Sequence, residues 1–513
     1  MIRLRDNYDW LVLGDHPAAL LSAGLAARLG VSVLVLPFIP GAGLVISKEG
    51  QYLDHDLNFL ATLGRNESPK GLLAECLSRL GILPSEQDRV LKDIGFPQIV
   101  TPKVRVQFSP DEQIFLREMQ RELGKTTVDA MGFIAALGRA EVPILSYWKA
   151  LPERLTLLQQ PARKEFVNLE SVWSHIQKQQ SHKKVEKEWF TNTQFETWVT
   201  NIPNEECSEE SLKEFFTGLN YGLTCSPVSQ TSLVEMAHLF SLARASGAFR
   251  GGLTAYRDLL LRLAKRLGAH IPLRAECKRL FVEEGRLIGA QVAIKGKVVA
   301  VKGAVLGCSL EQAKPFISFS GSRFMNRVKT APKPSGWRFS ISIAARLGAI
   351  PVGMQKRVIW SEQGAPILEI EVAEPEDYGT TAPDQVWLFV RTVLPFTNES
   401  LKVAHQRMVA ARMLRQVCEI MPFLEYNILN IFPDFTDENH ELSHIYGYAS
   451  KEMIPENLRY YVGEGLGSRT GIEGLFIASG ESFPRLGTFG PTVAALEAVS
   501  WLAHRSGLSG PFA

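Results

Sequence analysis

The chain has 513 residues, more than one hydrophobic core usually organises, so we expect two closely packed lobes. Hydrophobic residues make up 45% and charged residues 21%, and 56 lysines and arginines are balanced by 54 aspartates and glutamates. This composition is typical of globular proteins and argues against nucleic acid as a partner.

The six cysteines are scattered, without a C-x-x-C pair, so we expect neither a zinc framework nor disulfides, and a reducing cytoplasm fits best. Residues 10–46 form an apolar stretch, but charged residues and Gly and Pro divide it into elements shorter than the roughly 20 residues of a membrane span. We therefore expect a cytoplasmic protein, and contact with a membrane surface stays open.

The chain begins with a predicted βαβ unit. Residues 10–13 and 31–36 are apolar and predict two buried strands, and residues 17–29 predict a helix with small side chains on one face. Asp15 is the expected N-cap, and Pro17 suits the first helical turn. The turn should therefore direct backbone N–H groups toward whatever lies above the first strand.

The next segments differ in their predicted secondary structure. Residues 66–240 are mostly amphipathic and predict helices, whereas residues 250–308 predict a glycine turn, a helix, a strand and then a β-meander that ends near Cys308. Residues 335–395 predict a second sheet and residues 399–421 a long helix. The chain closes with a strand, a glycine-rich loop and a helix, in GLFIASGESFPRLGTFGPTVAALEAVSWLAHR.

These segments together resemble the FAD-binding lobe of the phytoene desaturase and amine oxidase superfamily. The resemblance rests on the N-terminal βαβ unit, the Gly251-Gly252 turn, Cys277 after the next helix, and PRLGTFG at 484–490, which is similar to the family's P-G-x-G-x-x-G loop. It covers nearly the whole chain. Length and segment order are most similar to the phytoene desaturase and carotenoid isomerase-like branch.

The resemblance implies an α/β fold with a Rossmann-like, glutathione-reductase-type lobe containing a mixed sheet, and a helical substrate lobe. The FAD-binding lobe would be discontinuous, with residues 1–65, 241–320 and 461–513, and the substrate lobe would contain residues 66–240 and 321–460. The residues that the resemblance places beside FAD are Gly14, His16, Ala19, Gly43, Cys277, Gly480, Glu481, Gly487, Thr488 and Gly490.

Several positions depart from the family pattern. In the dinucleotide fingerprint the first glycine permits the turn, the second lets the backbone approach the pyrophosphate, and the third lets helix and strand pack closely. Here Gly14 is kept, His16 replaces the second glycine and Ala19 the third. Pro37 replaces the acid that binds the ribose.

Two further departures lie outside the fingerprint. The family's Gly-Gly-Arg is Gly43-Leu44-Val45, which removes a cation, and its Gly-Asp pair is Gly480-Glu481.

Two hypotheses about the function stay open. One is an FAD-dependent oxidoreductase acting on an apolar, isoprenoid or lipid-like substrate. The other is a flavin-free relative that binds a lipid or a protein in the same cleft.

Other chemistry has less support in the sequence. There is no G-x-S-x-G elbow and no G-x-x-x-x-G-K-[ST] loop, so hydrolase and P-loop functions are not indicated. No metal site is predicted, and because a flavin accepts the hydride itself, no catalytic acid or base can be named. Aromatic side chains of the substrate lobe favour core packing over a tunnel lining, namely Trp148, Trp189, Phe190, Trp198, Phe215, Phe216 and Tyr221.

Overall fold

The computed structural model describes residues 4–14, 16–36, 45–46, 52–53, 72–93, 97–107, 109, 112–124, 209–224, 247–249, 252–272, 275–293, 296–317, 322–330, 336–373, 384–395, 397–400, 402–432, 468–479, 482 and 489–509. None of the helices in these ranges is long and apolar enough to cross a membrane.

The strands, in chain order, are β1 Asn7–Leu13, β2 Val33–Leu36, β3 Val45–Ile46, β4 Tyr52–Leu53, β5 Leu91–Asp93, β6 Gln98–Val100, β7 Arg105–Gln107, β8 Gly247–Phe249, β9 Cys277–Glu283, β10 Arg286–Val292, β11 Val298–Leu306, β12 Gly336–Arg346, β13 Arg357–Trp360, β14 Leu368–Ala373, β15 Gln385–Pro395, β16 Ile428–Phe432 and β17 Leu475–Ile477.

The α-helices are α1 Pro17–Arg28, α2 Leu72–Arg79, α3 Pro84–Val90, α4 Glu112–Leu123, α5 Glu209–Thr224, α6 Gly252–Arg266, α7 Leu310–Ala313, α8 Ser322–Thr330, α9 Val403–Ile420 and α10 Phe489–Arg505. Short 3-10 turns follow α7 and β12.

The predicted βαβ unit is present, with parallel strands β1 and β2 joined by α1. The second strand begins two residues later than predicted. Ser32 is held in the preceding turn, where its N–H and hydroxyl donate to Asp9 Oδ2 at 2.9 and 2.7 Å. The N-cap of α1 is His16 and not Asp15, because the imidazole Nδ1 accepts the N–H of Ala18.

Strand β11 joins two kinds of pairing in the first sheet. It lies parallel to β1 along its length, its first half pairs antiparallel with β10 of the predicted meander, and its second half pairs parallel with β17. Four strands therefore run the same way in the order β2, β1, β11 and β17. An isolated parallel bridge between Leu34 and His270 adds the segment after α6 beside β2.

The parallel strands of the first sheet are covered on both faces toward their carboxyl ends, which explains why residues 10–13, 33–36 and 304–306 are apolar. One face packs against α1, α2, α6 and α10 in a core that includes Trp10, Val12 and Val305. The other packs against the meander in a core that includes Leu11 and Leu13. The mixed α/β architecture expected from the sequence is confirmed, with helices, parallel strands and meander as successive layers.

The second sheet has the strand order β16, β12, β15, β14, β13, β6 and β7. All of its pairings are antiparallel except that of β13 with β6. Helix α9 packs on one face, where Val409, Met413 and Val417 contact the alternate side chains of the central strands. Helix α5 lies on β6 and β13.

Three short strands, β5, β6 and β7, lie within residues 66–240, where the sequence pattern predicts mostly helices. Each has only three residues, too few for an alternating pattern to be visible. They form because they pair with β8, β13 and each other, so the tertiary partner decides the conformation.

Candidate functional site

The carboxyl ends of the four parallel strands lie in one row. Leu13 is in register with Leu36 on one side and with Leu306 on the other, and Leu306 is in register with Ile477. In open α/β sheets, ligands bind in the crevice outside this edge. The row is therefore the candidate site, and we call it the carboxyl edge.

The residue that follows three of the four strands at the carboxyl edge, β1, β11 and β17, is small. The N–H of Gly14 donates to Leu36 O at 2.9 Å, that of Gly307 to Leu13 O at 2.6 Å, and that of Ala478 to Leu306 O at 2.7 Å. These hydrogen bonds extend the ladder by one residue beyond the strands. They leave the edge without bulky side chains at these three positions.

Gly14 adopts φ +116°, a conformation that only glycine tolerates without strain. A Cβ at this position would also lie 3.3 Å from the Gly307 backbone. The first glycine of the fingerprint thus makes the turn that the sequence predicts. The predicted contact of Gly14 with FAD stays a prediction.

Gly307 is a residue that the sequence reasoning missed. A Cβ on Gly307 would lie 2.5 Å from Cβ of Ala19 and 3.1 Å from Leu13 O. Helix α1 therefore approaches β11 closely because the strand side of the contact carries no side chain. The available signal was a glycine directly after a buried strand, as at Gly14.

His16 lies at the N-terminus of α1 with an exposed side chain. Its Nδ1 accepts the Ala18 N–H at 3.3 Å, and its carbonyl accepts the Leu20 N–H at 3.1 Å. Because Pro17 has no N–H, the first two positions of α1 present no unbonded amide. The backbone of the edge fits a dinucleotide, but the Ala18 N–H becomes available to a phosphate only when the imidazole turns away.

Helix α10 follows β17 and packs beside α1. Gly490 is its second residue and is buried. The fully buried Ser482 donates its N–H to Ser479 O at 3.1 Å and its hydroxyl to Ile477 O at 3.4 Å. These bonds hold the chain against the end of β17 on its way to α10.

Cys277 begins β9 and lies in the core between the meander and the parallel strands. It is 5% exposed, and burial raises the pKa of its thiol to about 12, with a weak opposing contribution from Arg279 O. The thiol is therefore protonated at neutral pH and is not a nucleophile. The contact of the Cys277 backbone with FAD that the resemblance implies stays a prediction.

A charged cluster beside β17 also escaped the sequence reasoning. Glu497 of α10 accepts the Ser468 N–H at 2.9 Å, and Ser468 O accepts the Ile477 N–H at 2.7 Å. Burial raises the pKa of Glu497, while Ser468 and two arginines, Arg469 and Arg327, oppose that shift. The guanidinium of Arg469 lies 4.1 Å from the ring centre of Trp501.

Several predicted site residues lie outside the described residues, namely Gly43, Gly480, Glu481, Gly487 and Thr488. The same holds for Pro37 and for four of the seven aromatic residues, Trp148, Trp189, Phe190 and Trp198. The side chain of Val45 is likewise not described. Their roles stay predictions.

The expectation of no metal overlooked one pattern. Residues 440–444 read HELSH, which is the H-E-x-x-H spacing of zinc-binding helices. They lie outside the described residues. Within the ranges that the structure does describe, no group of three His, Cys, Asp or Glu side chains could hold a metal ion.

The fold is that of the amine oxidases and related oxidoreductases. An oxidoreductase from Methanosarcina mazei is 14% identical, with TM-score 0.57 and coverage of 94% of this chain and 98% of that one. Putrescine oxidase bound to putrescine is 12% identical, with TM-score 0.57 and coverage of 98% and 99%. Cyclohexylamine oxidase from Brevibacterium oxydans IH-35A is 14% identical, with TM-score 0.52 and coverage of 98% and 99%.

No protein-family model matches the chain, and no curated protein matches it by sequence. Similarity at 12–14% identity establishes the fold and leaves the function to be argued from the site.

Proposed function

We propose that the protein is an FAD-dependent oxidoreductase that removes a hydride from an apolar, isoprenoid or lipid-like substrate, as its resemblance to phytoene desaturases implies. The observation that carries the proposal is the carboxyl edge, where Gly14, Gly307 and Ala478 follow three parallel strands in register. An edge of this kind is where folds of this class bind dinucleotides. The similarity in fold to putrescine oxidase and cyclohexylamine oxidase supports it.

The chain's own residues would bind and orient the cofactor. Gly14 holds the turn after β1, and the contact between Ala19 and Gly307 fixes α1 close to the sheet. The N-terminal dipole of α1 favours a pyrophosphate, provided that the imidazole of His16 releases the Ala18 N–H. When bound, FAD would supply the hydride acceptor.

Substitution of His16 tests this proposal. In His16→Gly, the Ala18 N–H is available to phosphate, so we expect the FAD dissociation constant to fall by roughly tenfold, the value of one hydrogen bond to a charged group. His16→Asn is the matched control, because asparagine still caps the helix and should leave affinity nearly unchanged. The measurement is titration of apoprotein with FAD, followed by flavin fluorescence.

An equal gain in His16→Asn would show that imidazole bulk, and not the capping bond, limits the site. No gain in either variant would show that position 16 does not face the cofactor.

A second candidate function is a flavin-free protein that binds a lipid or a protein partner. The observation that favours it is the N-terminus of α1, where Pro17 lacks an N–H and Ala18 donates to His16. Extraction of the purified protein with organic solvent, followed by mass spectrometry, tests it. A stoichiometric lipid in protein without flavin would support this function, and stoichiometric FAD would exclude it.

A further inference from the structure

His16 is a titratable cap on the helix that begins at the carboxyl edge. It is the N-cap of α1, with extended backbone at φ −62° and ψ 144°, and its side chain is exposed. Its Nδ1 accepts the Ala18 N–H at 3.3 Å. The usual capping residues are serine, threonine, aspartate and asparagine, which keep one charge state near neutral pH. A histidine does not, because an imidazole titrates near pH 6.5.

The cap requires a neutral imidazole. Because Nδ1 accepts a hydrogen bond, the hydrogen-bond network assigns the proton of the neutral ring to Nε2. A protonated ring carries an N–H at both nitrogens and accepts no hydrogen bond. Its positive charge would also lie at the positive end of the α1 dipole. Protonation therefore breaks the cap and releases the Ala18 N–H.

The groups that protonation releases suit a phosphate. The Ala18 N–H becomes a donor at the helix N-terminus, and the imidazolium adds a second donor and a positive charge. The first turn of α1 contains no acidic residue that would compete for these donors. A bound anion would also relieve the repulsion between the imidazolium and the helix dipole. Proton and phosphate therefore favour each other's binding, whereas the neutral ring and a phosphate compete for one N–H.

The elements around the first turn of α1 carry few other titratable groups in the described part of the chain. The strands β1, β2 and β11 end in apolar residues, and Cys308, which follows at the end of β11, is buried. Helix α10 has no titratable side chain before Glu497 in its third turn. Helix α6 contributes Tyr256, whose pKa burial raises well above its ordinary value, and the ion pair of Arg257 and Asp258. Helix α2 contributes one internal ion pair.

The other histidines within the described ranges lie elsewhere. The ring of His270 is hydrogen-bonded to Tyr8 at the beginning of β1, His405 is on α9, and His504 is in the last turn of α10. Histidine is the residue type that ordinarily changes charge near neutral pH. A change in affinity at the carboxyl edge in that range is therefore assigned to His16.

We propose that His16 couples proton uptake to the binding of a dinucleotide phosphate, so that protonation of the imidazole opens the carboxyl edge to FAD. This names the regulation of the proposed site and rests on the proposed function for the identity of the ligand. The complex favours the protonated ring. The gain in affinity is therefore complete below the pH at which the free ring titrates, and it is lost as pH rises through the titration of the complex.

Titration of the apoprotein with FAD from about pH 6 to about pH 8.5, followed by flavin fluorescence, tests the coupling. We expect the dissociation constant to rise by about tenfold or more over this range, the value of one charge-assisted hydrogen bond. Asp15, beside His16, lies outside the described residues. Its carboxyl group is of a type that titrates near pH 4, below the range of the measurement.

Two substitutions separate the cap from the charge. His16→Gly should bind FAD with one affinity at every pH, and the unaltered protein should reach that affinity only toward about pH 6. His16→Asn keeps the cap at every pH and should show the weaker affinity throughout. His504→Asn is the matched control, because it removes a histidine from the far end of α10, and it should keep the full pH dependence.

Calorimetry measures the proton itself and needs no variant. Binding of FAD in two buffers of different ionisation enthalpy gives the number of protons taken up with the ligand. Near neutral pH we expect an uptake of roughly half a proton per FAD in the unaltered protein and none in His16→Asn. The inference is overturned by a dissociation constant that does not change with pH, by zero uptake, or by an equal pH dependence in His16→Asn.

ADP distinguishes this inference from the proposed function, since it carries the pyrophosphate without the flavin. Protein that binds FAD equally well at every pH would refute the coupling and leave the oxidoreductase in place. Protein that binds no FAD, but binds ADP with a pH dependence that His16→Asn removes, would refute the oxidoreductase and support the coupling. Protein that binds neither molecule at about pH 6 would refute both.

Discussion

Gly307 and Ala19 together provide the close approach of helix and strand for which a dinucleotide fingerprint uses a glycine on the helix. The methyl group of Ala19 is accommodated because Gly307, on the facing strand, has no side chain. The replacement of the third fingerprint glycine by Ala19 therefore does not imply looser packing of α1 on the strands. The compensating residue lies nearly three hundred positions away along the chain.

Gly307→Ala should destabilise the protein by about 1 to 3 kcal/mol, the usual cost of adding a methyl group to a filled core. The new Cβ would lie 2.5 Å from that of Ala19, so α1 must move or the strand must bend. Urea unfolding measures the change. Ala19→Gly combined with Gly307→Ala should recover much of the loss, since it removes the opposing methyl group. Additive losses in the double variant would contradict the packing described for this pair.

Asp9 makes the stability of the protein depend on pH. Its carboxylate accepts from Lys302 at 2.7 Å and from Ser32, and the hydrogen bond from Lys302 is the largest cause that lowers its pKa from 3.8 to about 2. A pKa lowered by folding contributes stability above the unfolded value, and this stability is lost as pH falls. Asp9 should therefore stabilise the protein above about pH 4, with the contribution lost between about pH 4 and 2.

Asp9→Asn should flatten the dependence of unfolding free energy on pH in the acid range, as measured by urea unfolding from about pH 7 to about pH 2. Asp6→Asn is the control, since the Asp6 side chain is 95% exposed. If the unfolding free energy of Asp9→Asn falls with decreasing pH as steeply as that of the unaltered protein, the ion pair with Lys302 does not contribute to stability.

At the scale of elements, prediction from sequence succeeded where a segment carries its own pattern. The β1–α1–β2 unit and the meander have buried apolar runs bounded by Gly and Pro, and the structure confirms them. The strands β5 to β7 lack such a pattern and depend on partners far along the chain. The placement of α5 on the second sheet likewise depends on contacts that periodicity does not encode.

Helix α5 lies against β13 because two of its residues are glycines one turn apart. A Cβ on Gly218 would lie 2.8 Å from Cβ of Ser361, and one on Gly222 would lie 1.7 Å from Cδ1 of Ile359. The hydroxyl of Tyr221, between them, accepts the Val393 N–H at 2.6 Å. The backbone of α5 approaches the side chains of Ser361 and Ile359 so closely that only small residues fit at these two helix positions.

Gly222→Ala should lower stability by about 1 to 3 kcal/mol, because the added methyl group overlaps Ile359 and outweighs the better helix propensity of alanine. Ile359→Val removes the overlapping Cδ1 and should restore part of the loss in the double variant. The measurement is a double-mutant cycle in urea. A coupling energy near zero would show that α5 does not lie on β13 through this contact.

At the scale of the whole molecule, the carboxyl edge is formed by strands that lie at both ends and in the middle of the chain. The order of these segments was visible in the sequence through the resemblance. The register that brings Gly307 beside Gly14 was not visible in the sequence. Registers follow from packing between distant strands, so a single sequence does not reveal which residues become neighbours.

The central claim is that this edge binds FAD, and the most direct test is the flavin content of the freshly purified protein. The visible absorption spectrum is recorded, the protein is denatured, and released flavin is quantified per chain. The proposed function predicts a flavin spectrum and one FAD per chain. Protein that is colourless, and that binds no flavin after incubation with excess FAD, would contradict it.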